Sequence, residues 1–298
     1  MPAMPPEVEA ALAEVGARCQ VPVDDARLVH RHSNSAIALP AAQLLVRVAS
    51  NPDAFNSVVS SVAITRWLAR QGYPCVIPAD VDPFLVVARV VSVWRLLDTA
   101  DEPPATGAEL GELLRELHHQ PRPPVQLRKL SDPFESVATA IRQHPDAMTE
   151  EDHTWLNDHV RRLRSSWADL SPALPTGLIH GDAHTNNIIR LTTGRGVLGD
   201  WDHVAQGPRE WDLIQVHYMA RRFARHTQED LGRFTAAYGW DVSDWPGAET
   251  LIQIREITGL SPYIRKASTD GLIRREVAHR VASLRLGDKS VQWHSPTR

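Results

Sequence analysis

Residues 178–202 constrain this chain more than any other stretch. Leu178-Ile179 lead into His180-Gly181-Asp182-Ala183-His184-Thr185-Asn186-Asn187, the short run Ile188-Ile189 follows, and Val197-Leu198 lead into Gly199-Asp200-Trp201-Asp202. Two short buried strands, each delivering polar residues at a loop, are the economical reading of this alternation. The loops set Asp182 five residues before Asn187 and Asp200 thirteen residues after it. Those residue types suit phosphoryl transfer. One carboxylate orients a hydroxyl and receives its proton, while an amide oxygen and a second carboxylate hold Mg²⁺ against a triphosphate.

The pattern His-Gly-Asp-x-x-x-x-Asn, then Asp200-Trp201-Asp202, then Gly207-Pro208-Arg209-Glu210-Trp211-Asp212-Leu213, resembles the aminoglycoside phosphotransferase family of small-molecule kinases. These look like relatives of protein kinases, whose catalytic loop reads His-Arg-Asp-x-x-x-x-Asn and whose metal-binding Asp opens Asp-Phe-Gly. The resemblance spans roughly residues 27–285 and is strongest over 178–213. It implies Asp182 as catalytic base, Asn187 and Asp200 as Mg²⁺ ligands, and Asp212 as a structural acid. It also implies an α+β, two-lobe protein-kinase-like fold with a small sheet-containing N-lobe and a mainly helical C-lobe. The boundaries expected are residues 1–97 for a nucleotide-binding lobe and 98–298 for a catalytic and substrate lobe.

A second reading competes. His180, Asp182, His184, Asp200 and Asp202 are also the residue types of a metal-dependent hydrolase. That reading leaves Asn187 and the Gly-Pro-x-x-Trp-Asp-Leu segment without a purpose. His184 reads instead as a loop residue packing against its neighbours, and His180 as one that hydrogen-bonds within the loop through its two ring nitrogens and holds its shape.

The chain has 298 residues, more than one hydrophobic core usually spans, which favours two lobes. A net charge of −4 without a basic stripe gives no sign of a nucleic-acid partner. Arg89 and Arg95 interrupt the most apolar stretch well short of the roughly 18 residues a membrane span needs, so no membrane partner is expected either. Cys19 and Cys75 have no metal-type spacing and read as free thiols. With no basic segment and apolar core at the N-terminus, a cytoplasmic enzyme is expected, a monomer or weak dimer.

Residues 6–18 read as a helix with Pro6 near its start, followed by strands near 27–32 and 43–49. Between them Ser33 and Asn34 occupy the turn where kinases place a phosphate-covering loop; the resemblance implies that their backbone amides face the nucleotide, without any glycine-rich signature. On the next strand, Arg47 stands where kinases carry a phosphate-contacting lysine. Arginine is permanently charged and forks onto phosphate oxygens, so the contact can persist. The family pattern puts a glutamate on the following helix, 57–71, to pair with that base, and this chain has Ser61 there. A serine cannot form the pair, so a catalytically weak, nucleotide-binding pseudokinase stays open as the alternative.

Residues 84–88 and 90–94 read as paired strands leading to Trp94-Arg95-Leu96, the implied hinge where Trp94 and Leu96 meet the nucleotide base. Asp98–Gly107 reads as the linker. Leu110, Leu113, Leu114 and Leu117 then fall at i, i+3, i+4 and i+7, one helix face ending at His118, read as structural. Helices are expected over 133–144, 149–168, 213–225, 229–238, 249–260 and 270–286. The resemblance thus implies ATP, or GTP, as phosphoryl donor, Mg²⁺ as cofactor and a small-molecule hydroxyl as acceptor. From Ala205 to Arg298, 14 Lys and Arg stand against 11 Asp and Glu, a balance that does not favour a polycationic acceptor such as an aminoglycoside.

Overall fold

Strand alternation around Arg47 organises the N-terminal part of the molecule. The computed structural model describes residues 4–31 and 34–294, so Ser33 lies outside the described residues. In chain order the first elements are α1 (Pro6–Cys19), β1 (Arg27–Arg31), β2 (Asn34–Leu39), β3 (Leu44–Ala49), α2 (Phe55–Arg70), β4 (Phe84–Val86) and β5 (Arg89–Arg95). The strands form one antiparallel sheet in the order β1-β2-β3-β5-β4. Because side chains alternate across a strand, Val46 and Val48 of β3 fall on one face with Val91 and Val93 of β5. That face packs against Val8, Ala11, Leu12 and Val15 of α1, spaced to make one helical stripe. Removing each such valine or leucine side chain from water is worth about 1.5–3 kcal/mol. The opposite face carries Ala49 and Val90, packed with Val58 of α2, and on it Arg47 lies opposite Ser92.

Next come α3 (Gly107–His118), α4 (Glu135–Gln143), α5 (Glu150–Ala168), β6 (Gly177–Ile179), β7 (Ile188–Arg190), β8 (Gly196–Leu198) and β9 (Ala205–Gly207). The remainder is helical: α6 (Glu210–Phe223), α7 (Gln228–Tyr238), α8 (Ala248–Thr258), α9 (Ser261–Ala267) and α10 (Gly271–Arg285). Two compact units result. One takes Met1–Ala105, His119–Arg128 and His180–Ala205, and the other Thr106–His118, Lys129–Ile179 and Gln206–Arg298. The fold is thus mixed α+β, with an antiparallel sheet in the N-terminal part and helices dominating the C-terminal part. Among the described residues no helix is long and apolar enough to cross a membrane.

In the second unit, α3 starts with a capping box: Glu109 accepts from the Thr106 amide at 2.9 Å, and the Thr106 hydroxyl accepts from the Glu109 amide at 3.2 Å. Its leucines 110, 114 and 117 are fully buried. Gly111 lets α3 lie close to α7, since a Cβ there would come within 2.5 Å of the Phe234 carbonyl oxygen. At the end of α3, His118 bridges two buried partners, the Tyr238 hydroxyl at 2.9 Å and Asp212 at 3.2 Å. His118 and Asp212 are therefore structural residues within this unit.

Two elements differ from the sequence reading. Helix α9 is separate from α8 and α10: Pro262 in its first turn favours a fresh start, and Ile264 and Ala267 are buried. Val87-Ala88, read as the end of a strand for its apolar character, is instead the two-residue turn joining β4 to β5, with Val86 paired to Arg89. Both turn residues have positive φ, 47° and 56°, the condition of a type I′ hairpin turn. Val87 is 69% exposed, so little burial offsets that strain. Replacing Val87-Ala88 by Asn-Gly is expected to stabilise the protein by about 1–2 kcal/mol, raising the midpoint of thermal unfolding; an unchanged or lower midpoint would show that the turn carries no relievable strain.

Candidate active site

The polar loops of residues 180–203 are fixed by hydrogen bonds among themselves. After β6, Gly181 turns the chain at φ +89°, and a Cβ there would come within 2.2 Å of the His203 carbonyl oxygen. Glycine is thus required both for its backbone conformation and for the close approach. His180 is fully buried, and its two nitrogens have distinct partners: Nδ1 accepts from the Asp182 amide at 3.3 Å, and Nε2 donates to the Gly199 carbonyl at 2.8 Å. That assignment gives the neutral Nε2-protonated tautomer. Gly199 in turn donates its amide to the Asn187 carbonyl at 2.8 Å. Gly199 is thus tied to both ends of the 180–187 loop.

Asn187 closes the short 3-10 turn Thr185–Asn187. Its side-chain amide nitrogen donates to the Asp182 carbonyl at 2.9 Å, which assigns the nitrogen to the loop and directs the amide oxygen away from that bond. The Asp182 carboxylate is about one-third exposed and lies 3.7 Å from His184 Nε2. Asp200 adopts a left-handed conformation, φ 54° and ψ 60°, as it enters the 3-10 turn Trp201–His203. Aspartate tolerates that region better than most non-glycine residues. Its side chain is 48% exposed.

Trp201 is fully buried beneath this turn. Its indole N–H donates to the Leu198 carbonyl at 2.9 Å, and its ring meets those of Tyr73, edge-on, and His180. Leu198 is itself tied to the segment after α2: its amide donates to Pro74 at 2.9 Å and its carbonyl accepts from Val76 at 3.1 Å. Cys75, between those two residues, is buried; burial pushes its thiol up to about 12, so it behaves as an inert apolar group.

Arg47 contributes a feature that the sequence reading missed. Its guanidinium meets the Asp202 carboxylate end-on, Nη2 to Oδ2 at 3.0 Å and Nη1 to Oδ1 at 3.4 Å, and Nη2 lies 3.6 Å from Asp200 Oδ1. Ser61 is fully buried on α2, and its hydroxyl has no hydrogen-bond partner. The only advance signal was indirect: a base with no acid on the expected helix needs one from elsewhere.

The remaining expected nucleotide contacts lie on the sheet. Asn34 opens β2 opposite Ala49. Trp94 is 3% exposed with its indole N–H on Ser92 Oγ at 2.9 Å, so a ligand would meet this residue mainly through its backbone. The Leu96 amide donates to the Gln43 carbonyl at 2.9 Å.

The donor set fits a hard divalent cation. Asn187 and Asp200 offer oxygen ligands too few to cage an ion alone, the usual condition of a site that shares its metal with phosphates. Among the described residues no three His, Cys, Asp or Glu side chains come together as a metal-holding group. With both His180 nitrogens engaged in holding the loops, the hydrolase cluster is not assembled.

Comparison with known proteins gives the family and the fold. The phosphotransferase enzyme family (APH) matches residues 25–251, and the chain belongs to that family. It is a kinase in the broad sense, transferring a phosphoryl group from a nucleotide to a hydroxyl of a small molecule. No curated protein sequence matches it significantly. Solved structures share its fold across nearly the whole chain. The amicoumacin kinase hAmiN, in complex with AMP-PNP, Ca²⁺ and Ami, is 12% identical over 98% of each chain, with a TM-score of 0.69. A choline/ethanolamine kinase family protein from Mesorhizobium loti is 16% identical over 94% of each chain, with a TM-score of 0.65. The aminoglycoside phosphotransferase APH(3'')-Id from Streptomyces rimosus is 16% identical over 83% of this chain and 97% of its own, with a TM-score of 0.57.

The glycine requirement gives a direct test. Gly194 also has positive φ, +83°, but open space around it. Gly194→Ala is expected to cost only the conformational term, about 1 kcal/mol, whereas Gly181→Ala adds a backbone clash and is expected to lower the thermal midpoint further and abolish turnover. Equal, small losses for the two variants would contradict the close approach of Gly181 to His203.

Proposed function

We propose that this protein transfers the γ-phosphoryl group of ATP to a hydroxyl of a small molecule, with Asp182 as catalytic base and Mg²⁺ held by Asn187 and Asp200. One observation carries the reading: the Asn187 amide nitrogen is committed to the Asp182 carbonyl, so the same bond that fixes the base's loop reserves the Asn187 oxygen for a cation. Phosphoryl transfer asks a protein mainly for positioning and charge stabilisation, and a cross-tied pair of loops supplies the first. Asp182 would align the acceptor hydroxyl and take its proton late in the transfer. Bound Mg²⁺ would neutralise charge on the β- and γ-phosphates. Ser33 and Asn34 would face the phosphates with their backbone amides, Arg47 would fork onto phosphate oxygens, and Trp94 and Leu96 would meet the base at the hinge between a nucleotide lobe, 1–97, and a substrate lobe, 98–298.

Relatives in the same fold bind nucleotides of both kinds, AMP-PNP with Ca²⁺ in one and GDP in another, which supports a nucleotide–metal site and leaves GTP as the alternative donor. The pseudokinase reading rested on the missing partner for Arg47. The Asp202 carboxylate beside the guanidinium removes its main support.

Two substitutions test the roles separately. Asp182→Asn is expected to keep Mg²⁺-ATP affinity within about twofold while kcat falls by roughly 10²–10⁴; turnover at the native rate would remove Asp182 from the mechanism. At the second position Asn is the informative replacement, because it tolerates the left-handed backbone of Asp200 whereas Ala adds about 1 kcal/mol of unrelated strain. Asp200→Asn is expected to weaken Mg²⁺-ATP binding far more than metal-free ATP binding, read by calorimetry with and without EDTA; equal affinities in the two conditions would remove Asp200 from the metal site.

A further inference from the structure

We infer that Asp202 is the residue that positions Arg47, taking over a task for which α2 has no side chain. The inference rests on the phosphate-binding role proposed for Arg47. Three observations lead to it. First, α2, whose sequence is FNSVVSSVAITRWLAR, contains no aspartate or glutamate, so no part of that helix can pair with a cation through a carboxylate. Its residue at the expected place, Ser61, is fully buried with an unpartnered hydroxyl. Second, the Arg47–Asp202 contact is two-pronged and shielded: both guanidinium Nη atoms face both carboxylate oxygens, and the two side chains are 23% and 24% exposed. A forked pair in that setting fixes the plane and direction of the guanidinium, as a single-point contact does not.

Third, Asp202 sits on a fixed support. It lies in the middle of the turn Trp201–His203, whose tryptophan is buried, bonded to Leu198 and packed edge-on against Tyr73, immediately beyond α2. Helix α2 packs directly against this turn. The helix therefore acts on Arg47 indirectly, by steadying the turn that bears the acid. Residues 200 and 202 divide the work: Asp200, the more distant of the two from Arg47 at 3.6 Å, would hold the metal, and Asp202 directs the guanidinium that would meet the phosphates. Asp202 touches Arg47 and is a positioning residue, not a catalytic one.

The test is a double-mutant cycle on the full-length protein with Arg47→Ala, Asp202→Asn, the pair together, and Asp202→Glu as the conservative variant. Readouts are the KM for ATP, kcat, the Mg²⁺ concentration for half-maximal rate, and the Kd for ATP in EDTA. Arg47→Ala and Asp202→Asn are each expected to raise KM and the metal-free Kd about 5- to 10-fold, with the pair no worse than Arg47→Ala alone, the non-additivity of two residues acting as a unit. Asp202→Glu is expected to recover most of the loss, and the Mg²⁺ requirement is expected to stay constant. Ser61→Ala is expected to leave the kinetics unchanged; a raised KM there would return the task to α2 and overturn the inference. Multiplying effects in the paired variant, or a raised Mg²⁺ requirement in Asp202→Asn at unchanged metal-free Kd, would overturn it too. The last result would make Asp202 a metal ligand. Asp182→Asn, assayed alongside, separates the two levels: if it is inactive while the cycle is additive, only the role of Asp202 falls, whereas native turnover in Asp182→Asn overturns the kinase mechanism beneath it.

Discussion

The hydrogen bond from His180 to the carbonyl of Gly199 joins the loop that carries Asp182 and Asn187 to the loop that carries Asp200. It is buried, so breaking it would leave a donor and an acceptor unsatisfied away from water, a cost of about 1–3 kcal/mol for each such group. The return bond, from the Gly199 amide to Asn187, makes the tie reciprocal. Everything assigned to the chemistry hangs from this pair of bonds. The Asp182 amide selects the His180 tautomer, the tautomer selects the donor nitrogen, and the donor fixes where Gly199, and hence Asp200, must lie. A histidine with two separately engaged nitrogens accomplishes what a residue with one polar atom could not.

The sheet makes a complementary contribution by keeping its two faces chemically distinct. One receives α1 through a buried apolar cluster of aliphatic side chains and Phe84; the other takes α2 and holds Arg47. A guanidinium in mid-strand is tolerated because its strand neighbours there, Ser92 on β5 and Ala36 on β2, are small, and because a carboxylate reaches it from a loop distant in sequence. A registry slip of one residue would exchange the faces and drive Arg47 into the aliphatic layer, so the charge also reinforces the register.

Much of this was legible beforehand where a periodic signal ran long enough. The leucine stripe of α3 located that helix within a residue or so, and the linked motifs over 178–213 identified the family and its fold. What escaped reading shares a physical cause: it depended on contacts or dihedrals that leave no periodic trace. The Arg47–Asp202 pair spans 155 positions, and nothing local to either residue announces the other. Val87-Ala88 carries a strand's composition in a turn's conformation, because the tight pairing of Val86 with Arg89 overrides local preference. Helix α9 is seven residues long, too short for its stripe to stand apart from its neighbours. Asp200 has an ordinary sequence context, and only the coordinates display its left-handed backbone.

The pairing of Leu198 with Pro74 and Val76 bears on how the chain acquires its shape. The unit containing the sheet is assembled from three stretches, the last of which ends at Ala205. A ribosome therefore releases the sheet, α1 and α2 long before the segment that completes their unit, and the intervening residues 129–179 belong to the other unit. Domains generally fold as units during synthesis, with the earliest-made first. Here that order is broken by the layout of the sequence: the first-made part must wait, with the Tyr73 and Cys75 surface still uncovered by Trp201 and Leu198, until about two-thirds of the protein has been made. The nascent chain thus carries an apolar seam whose closing residues are the same ones that deliver the loop of Asp200 and Asp202, so that loop is placed only as the seam closes.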